Sequence, residues 1–110
     1  MSAYLICMVR VNDPEIYKLY TAETPAIIAK YGGRFLVRGG AVENIEGPPF
    51  EDRLVVLEFP SKEAVRRFHG SEEYQRIVTH RHRSSESRFL LAEGVPADAV
   101  APDDRVEKSG

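Results

Sequence analysis

Tyr31-Gly32-Gly33-Arg34-Phe35-Leu36-Val37-Arg38-Gly39-Gly40 is the stretch from which the fold is read. It predicts a helix stop followed directly by a strand. Gly32 and Gly33 are placed to take the positive φ that ends a helix, a conformation that costs any residue with a Cβ. Phe35, Leu36 and Val37 favour extended chain. The second glycine pair then frees the backbone to turn. The strand is expected over Gly33 to Val42.

Working back from Gly32, Asn12-Asp13-Pro14-Glu15 is a helix start. Asp13 caps the free amides, Pro14 suits the first helical position, and Glu15 favours the positive end of the dipole. Ile16, Tyr20, Ile27 and Tyr31 are expected to line its apolar stripe. Pro25 removes one backbone bond and biases Thr24 away from helical angles, so a kink or two segments are expected there. Before this helix, Ala3 to Val11 reads as a strand apolar on both faces, hence central and covered on both sides.

Working forward, Gly47-Pro48-Pro49 is turn chemistry. Arg53 to Phe59 is the third strand, apolar on both faces except at Glu58. Ser61 caps a short helix that ends at Gly70, and Ser71 caps another with Glu72 and Glu73 in its first turn. Tyr74, Ile77, Val78 and Arg81 fall at helical spacing, and the first three of these are expected to pack inward. Ser87 to Glu93 is the fourth strand. Residues 95–110 lack periodicity and are expected to form a poorly ordered tail behind a domain over residues 1–94.

This order of elements is strand, helix, strand, strand, split helix, strand. It predicts an α+β, ferredoxin-like βαββαβ fold with an antiparallel sheet and the helices on one face. The other face is the physical problem. An antiparallel sheet with one wet side alternates apolar and polar residues, and strands one, three and four do not. Each exposed Leu or Val forgoes about 1.5–3 kcal/mol of burial. A second copy packed sheet to sheet across a two-fold axis removes that loss, so a homodimer is expected.

Composition narrows the function. The chain has 110 residues, 43% of them apolar and 29% charged, with a net charge of −2. That balance gives no electrostatic footprint for nucleic acid or an anionic membrane. No apolar run reaches the length of a membrane span, and the N-terminus has no signal-peptide pattern. The single Cys7 sits in apolar surroundings and suits a reducing compartment, so a cytoplasmic protein with an inert thiol is expected.

Tyr31–Gly40, the block Arg53-Leu54-Val55-Val56-Leu57-Glu58-Phe59-Pro60-Ser61, and Ser71-Glu72-Glu73-Tyr74-Gln75 together resemble the domain-of-unknown-function family numbered 1330. That family belongs to the dimeric α+β barrel superfamily. The resemblance covers about residues 3 to 94. It implies the ferredoxin-like fold and the sheet-to-sheet dimer, and it supplies no activity. Relatives in that superfamily include cofactor-free monooxygenases, muconolactone isomerase-like enzymes, haem-degrading enzymes and chlorite dismutase-like proteins, and fold alone does not choose among them.

Glu58 is the most informative polar residue, because an ionised carboxylate in an apolar strand is costly unless paired. It reads either as a general base with a raised pKa or as a structural ion pair with Arg34, Arg38 or Arg88. Arg38, taken to share a strand face with Arg34 and Leu36, suits a substrate carboxylate or a pair with Glu58. Arg34 and Arg88 carry the same two readings. Tyr17 and Tyr20 lie on the first helix, either lining a pocket between helix and sheet or packing in the core. His69 is a candidate proton shuttle or a residue near a helix end.

His80 and His82 point roughly 200° apart on a helix and do not share a ligand site. There is no phosphate loop and no cluster at metal spacing. The expectation is therefore a chain without metal or cofactor. Its partners are itself and a small anionic or aromatic metabolite. The expected function is a small-molecule enzyme of isomerase or cofactor-independent monooxygenase type. The alternatives are a non-catalytic metabolite-binding module and a purely structural dimer.

Overall fold

A computed structural model describes residues 2–96. Most of the expected tail, residues 97–110, lies outside the described residues. The elements are β1 (Ala3–Val11), α1 (Pro14–Lys30), β2 (Arg34–Arg38), β3 (Arg53–Phe59), α2 (Lys62–Gly70), α3 (Glu72–Ser84) and β4 (Ser85–Glu93). The four strands form one sheet in the order β2-β3-β1-β4, and every neighbouring pair is antiparallel. This is the ferredoxin-like α+β fold.

The local chemistry explains the element ends. Asp13 Oδ1 accepts from the Ile16 amide at 3.2 Å, with Pro14 in the first helical turn. Gly32 ends the junction after α1 with φ 83°. Gly33 has a different role from the one expected of it, because its φ is not positive and what it supplies is space. A Cβ there would lie 2.7 Å from the Phe59 ring and 2.8 Å from Ile28. Ser61 and Ser71 cap α2 and α3 through their hydroxyls.

Four expectations are corrected. Helix α1 runs unbroken through Pro25 rather than as two segments. Its packing accounts for this: Tyr17, Tyr20, Thr24 and Ile28 are buried on both sides of the proline. That buried set also shifts the stripe, leaving Ile16, Ile27 and Tyr31 half-buried at its flanks.

Strand β2 stops at Arg38, where Gly39 takes φ 69° and turns the chain. Strand β4 begins at Ser85, directly after α3, with no intervening turn. The helix end tolerates that because its carbonyls are occupied. Ser84 and Ser85 hydroxyls donate to His80 and Arg81 carbonyls at 2.6 Å, and the Asn12 amide donates to the Ser84 carbonyl at 2.7 Å.

The core lies between the helices and one sheet face. Leu5, Cys7, Val9, Val55, Leu57 and Phe59 point into it and meet Phe68, Tyr74, Ile77 and Val78. The other face carries Tyr4, Ile6, Met8, Leu54 and Val56, all only half-buried. Leu36, Val37 and Leu90 are 43%, 37% and 43% exposed. Among the described residues nothing covers this apolar sheet face.

Candidate functional site

A narrow cavity opens between α1 and the core face of the sheet. Tyr17, Tyr20 and Thr24 form its helical wall, Phe35 and Val55 part of its sheet wall, and Arg38 and Arg53 also line it. The space open to water centres is about 40 Å³. At Tyr17, Thr21, Arg38 and Arg53 it meets a wider surface basin of about 460 Å³, to which Lys18 also contributes. Among the described residues Lys18, Arg38 and Arg53 are the charged ones at this mouth, and no carboxylate lines either space.

The way Arg38 reaches the mouth differs from the expectation. Strict alternation puts Arg34, Leu36 and Arg38 on one face. Instead, the register shifts between Phe35 and Val37. Arg34 pairs with Glu58, Phe35 with Leu57, Val37 with Val56 and Arg38 with Val55. The extra residue of this bulge reverses the alternation. Arg38 thus lies on the core side, its guanidinium 4.3 Å from the Phe35 ring centroid.

Arg53 is not among the residues to which the sequence drew attention. It alternates with Val55 and Leu57 on the core face, and that spacing is the signal that could have found it. Its guanidinium lies 5.9 Å from the Tyr17 ring centroid, and its buried Nε has no partner. Gly39 makes room for it, since a Cβ at that position would run into the guanidinium. Neither Arg38 nor Arg53 forms an ion pair among the described residues.

Deeper in, the Tyr20 and Tyr74 hydroxyls are 2.6 Å apart. Burial pushes the pKa of Tyr20 strongly up, and the Tyr74 hydroxyl beside it adds to the shift. Burial also raises Tyr17, against the pull of Arg53. Both phenols are therefore neutral hydrogen-bonding groups. Burial pushes the Cys7 thiol up to about 12, which makes it inert. The cavity is equipped to hold an anion at its mouth and to offer phenol hydrogen bonds inside. Among the described residues it presents no carboxylate or imidazole to take a proton.

The remaining predicted residues lie elsewhere. Glu58 is on the opposite sheet face, where Oε1 is 2.8 Å from Arg34 and Oε2 accepts from the Tyr4 hydroxyl at 3.3 Å. The Arg34 hydrogen bond holds its carboxyl below the usual range. The raised pKa expected of a general base is thus reversed, and Arg34 is the partner in a structural pair. Arg88 is exposed and lies opposite Met8 on that same face.

His69 is exposed at the end of α2, its ring 5.4 Å from Tyr74. Burial, with Arg81 nearby, lowers its pKa. The expected residues therefore divide: Tyr17, Tyr20 and Arg38 share the cavity, Arg34, Glu58 and Arg88 share the far face, and His69 belongs to neither. Among the described residues no group of three His, Cys, Asp or Glu side chains is placed to hold a metal ion.

The family model for a domain of unknown function, DUF1330, matches residues 2–95. The chain belongs to the DUF1330 family. No curated protein is similar to this DUF1330 domain in sequence. Three of the solved structures that share its fold illustrate the likeness. A protein of unknown function from Rhodopseudomonas palustris, RPA0582, is 20% identical with a TM-score of 0.70, covering 86% of this chain and 83% of its own. SnoaB, a cofactor-independent oxygenase from Streptomyces nogalater, is 18% identical with a TM-score of 0.60, covering 88% and 96%. A dimeric ferredoxin-like protein of unknown function from Jannaschia sp. CCS1 is 15% identical with a TM-score of 0.60, covering 86% and 100%. At these identities the likeness is one of fold.

Proposed function

We propose that this DUF1330 domain is a homodimeric small-molecule enzyme of the metal-free type, an isomerase or cofactor-independent monooxygenase acting on a small anionic metabolite with a flat apolar body. The observation that carries this reading is the pair Arg38 and Arg53 at the cavity mouth, cationic and without a carboxylate partner among the described residues. Free guanidiniums beside an apolar slot suit a carboxylate or enolate attached to a ring. The interior of about 40 Å³ is too small for a ring, so the ligand's body lies in the wider basin of about 460 Å³, against Val11, Pro14 and Tyr17. Arg38 and Arg53 hold the anion, and Tyr17 and Tyr20 position the ligand from α1. An isomerisation or a metal-free oxidation passes through a delocalised carbanion, which the arginines stabilise electrostatically. SnoaB supports this reading by fold and by its cofactor-independent oxygenase activity.

The dimer is the second part of the proposal. Two sheets packed across a two-fold axis would cover Ile6, Met8, Val56 and Leu90. The dimeric Jannaschia protein, of the same fold, supports it. A cytoplasmic location fits the single inert thiol.

A non-catalytic metabolite-binding protein is the second reading. No carboxylate or imidazole of the described residues lines the cavity, which favours it, because the proton would have to be taken by the substrate's own anion or by water. Binding of benzoate and salicylate, followed by titration calorimetry, tests the part common to both readings. Arg38→Gln and Arg53→Gln are each expected to weaken binding by about tenfold. Affinity equal to wild type in both variants would overturn the assignment. Turnover of a bound hydroxy-aromatic acid, with oxygen uptake or isomer formation, then separates enzyme from binder.

A further inference from the structure

Arg81 plays no part in the cavity mouth, yet it is the one charged side chain in the buried core of the described residues, only 5% exposed. It forms no ion pair with a carboxylate among the described residues, and its Nε is buried without a partner. Its Nη1 donates to the Ser87 hydroxyl, and its guanidinium stacks 4.1 Å from the Phe89 ring centroid. Stacking offsets part of the desolvation of a buried cation, but an unpaired guanidinium remains costly.

Arg81 also lines a polar groove of about 330 Å³ on the side of the fold where β4 is the edge strand. His69, His82, Ser85, Ser87 and Phe89 complete that groove, and among the described residues no carboxylate lines it. The Ser87 hydroxyl accepts from Arg81 and keeps its own proton to donate. The Ser85 hydroxyl is already committed to the Arg81 carbonyl at 2.6 Å. The donor groups on the groove's lining are therefore the Arg81 guanidinium, the Ser87 hydroxyl and ring nitrogens of His69 and His82, drawn from α2, α3 and β4.

We propose that this groove is an oxyanion site built on Arg81, taking a tetrahedral phosphate group, either as free phosphate or as the phosphoryl end of a small metabolite. Donor groups drawn from three elements suit an acceptor whose oxygens point in several directions, and a guanidinium is the side chain best shaped to hold one. The room beyond a single anion leaves space for an ester substituent. The site is separate from the α1 cavity and stands whether or not that cavity is catalytic.

NMR titration of the full chain with inorganic phosphate, against sodium chloride at matched ionic strength, tests the proposal. Saturable shifts confined to His69, Arg81, His82 and Ser87 are expected. Ser87→Ala and His82→Gln, one half-buried and one exposed, should each weaken binding by about threefold to tenfold, and Arg81→Met by more. Phenyl phosphate binding more tightly than inorganic phosphate would mark an ester as the ligand; equal or weaker binding would mark the free anion. Should Arg81→Met fail to fold, the other two variants decide. No saturable shift up to about 10 mM phosphate, or shifts unchanged in Ser87→Ala and His82→Gln, would overturn the proposal.

Discussion

Arg34 and Arg38 stand on the same five-residue strand, β2, yet lie on opposite faces of the sheet. The bulge between Phe35 and Val37 separates them. Arg34 is committed to Glu58 on one face, and Arg38 is left unpaired beside the cavity on the other. One irregular residue thus divides a structural arginine from a candidate ligand-binding one. Deleting Leu36 should remove the bulge and leave Arg38 in strict alternation opposite Val55, still on the core face beside the cavity. Benzoate binding is then expected to stay close to wild type; a loss as large as that of Arg38→Gln in a folded deletion variant would show that Arg38 does not keep its pairing with Val55.

Glu58 supplies a second prediction. Its folded-state pKa is depressed, so its contribution to stability is full above the unfolded value of a glutamate and is lost as pH falls through the folded value. The melting temperature of Glu58→Gln should therefore lie below wild type at neutral pH and converge with it in acid. Benzoate affinity should not change. A pH-independent difference in melting temperature would contradict the ion pair.

Glu73 behaves the same way with a wider window. Lys30, its own backbone amide and Tyr31 hold its carboxyl at about 2, and it ties α3 to the end of α1. The stabilisation is present above the ordinary glutamate value of 4.5 and disappears as pH falls towards about 2. Lys30→Met should flatten that part of the stability–pH curve, as measured by urea unfolding between those limits. An unchanged slope would mean the contact does not form in solution.

Gly39 has two reasons to be glycine, its φ of 69° and the nearby Arg53 guanidinium. Gly39→Ala should cost about 1–2 kcal/mol of stability from backbone strain alone. It should also weaken benzoate binding by displacing Arg53. Gly40 is the control, because a Cβ added there would meet open space: Gly40→Ala should change stability by less than about 0.5 kcal/mol. Urea unfolding measures both.

The sequence carried the architecture because local signals agreed with one another. Asp13-Pro14, Ser61 and Ser71 each cap the helix expected of them, and β1 and β3, apolar on both faces, are the two central strands of the sheet. The site was only partly legible. Arg38 stood out as a candidate, but its face depended on a bulge that no residue in Phe35-Leu36-Val37 announces. Arg53 and Arg81 sat at the correct period for burial, and their charge argued against reading them as inward. Pro25 promised a break that packing through Tyr20 and Ile28 overrode.

The central claim is that a small anion binds between α1 and the sheet, at Arg38 and Arg53. The most direct measurement is an NMR titration of the labelled chain with benzoate. Saturable shifts centred on Tyr17, Thr21, Arg38 and Arg53 are predicted. Shifts centred on Glu58 and Arg88, or none that saturate, would contradict it.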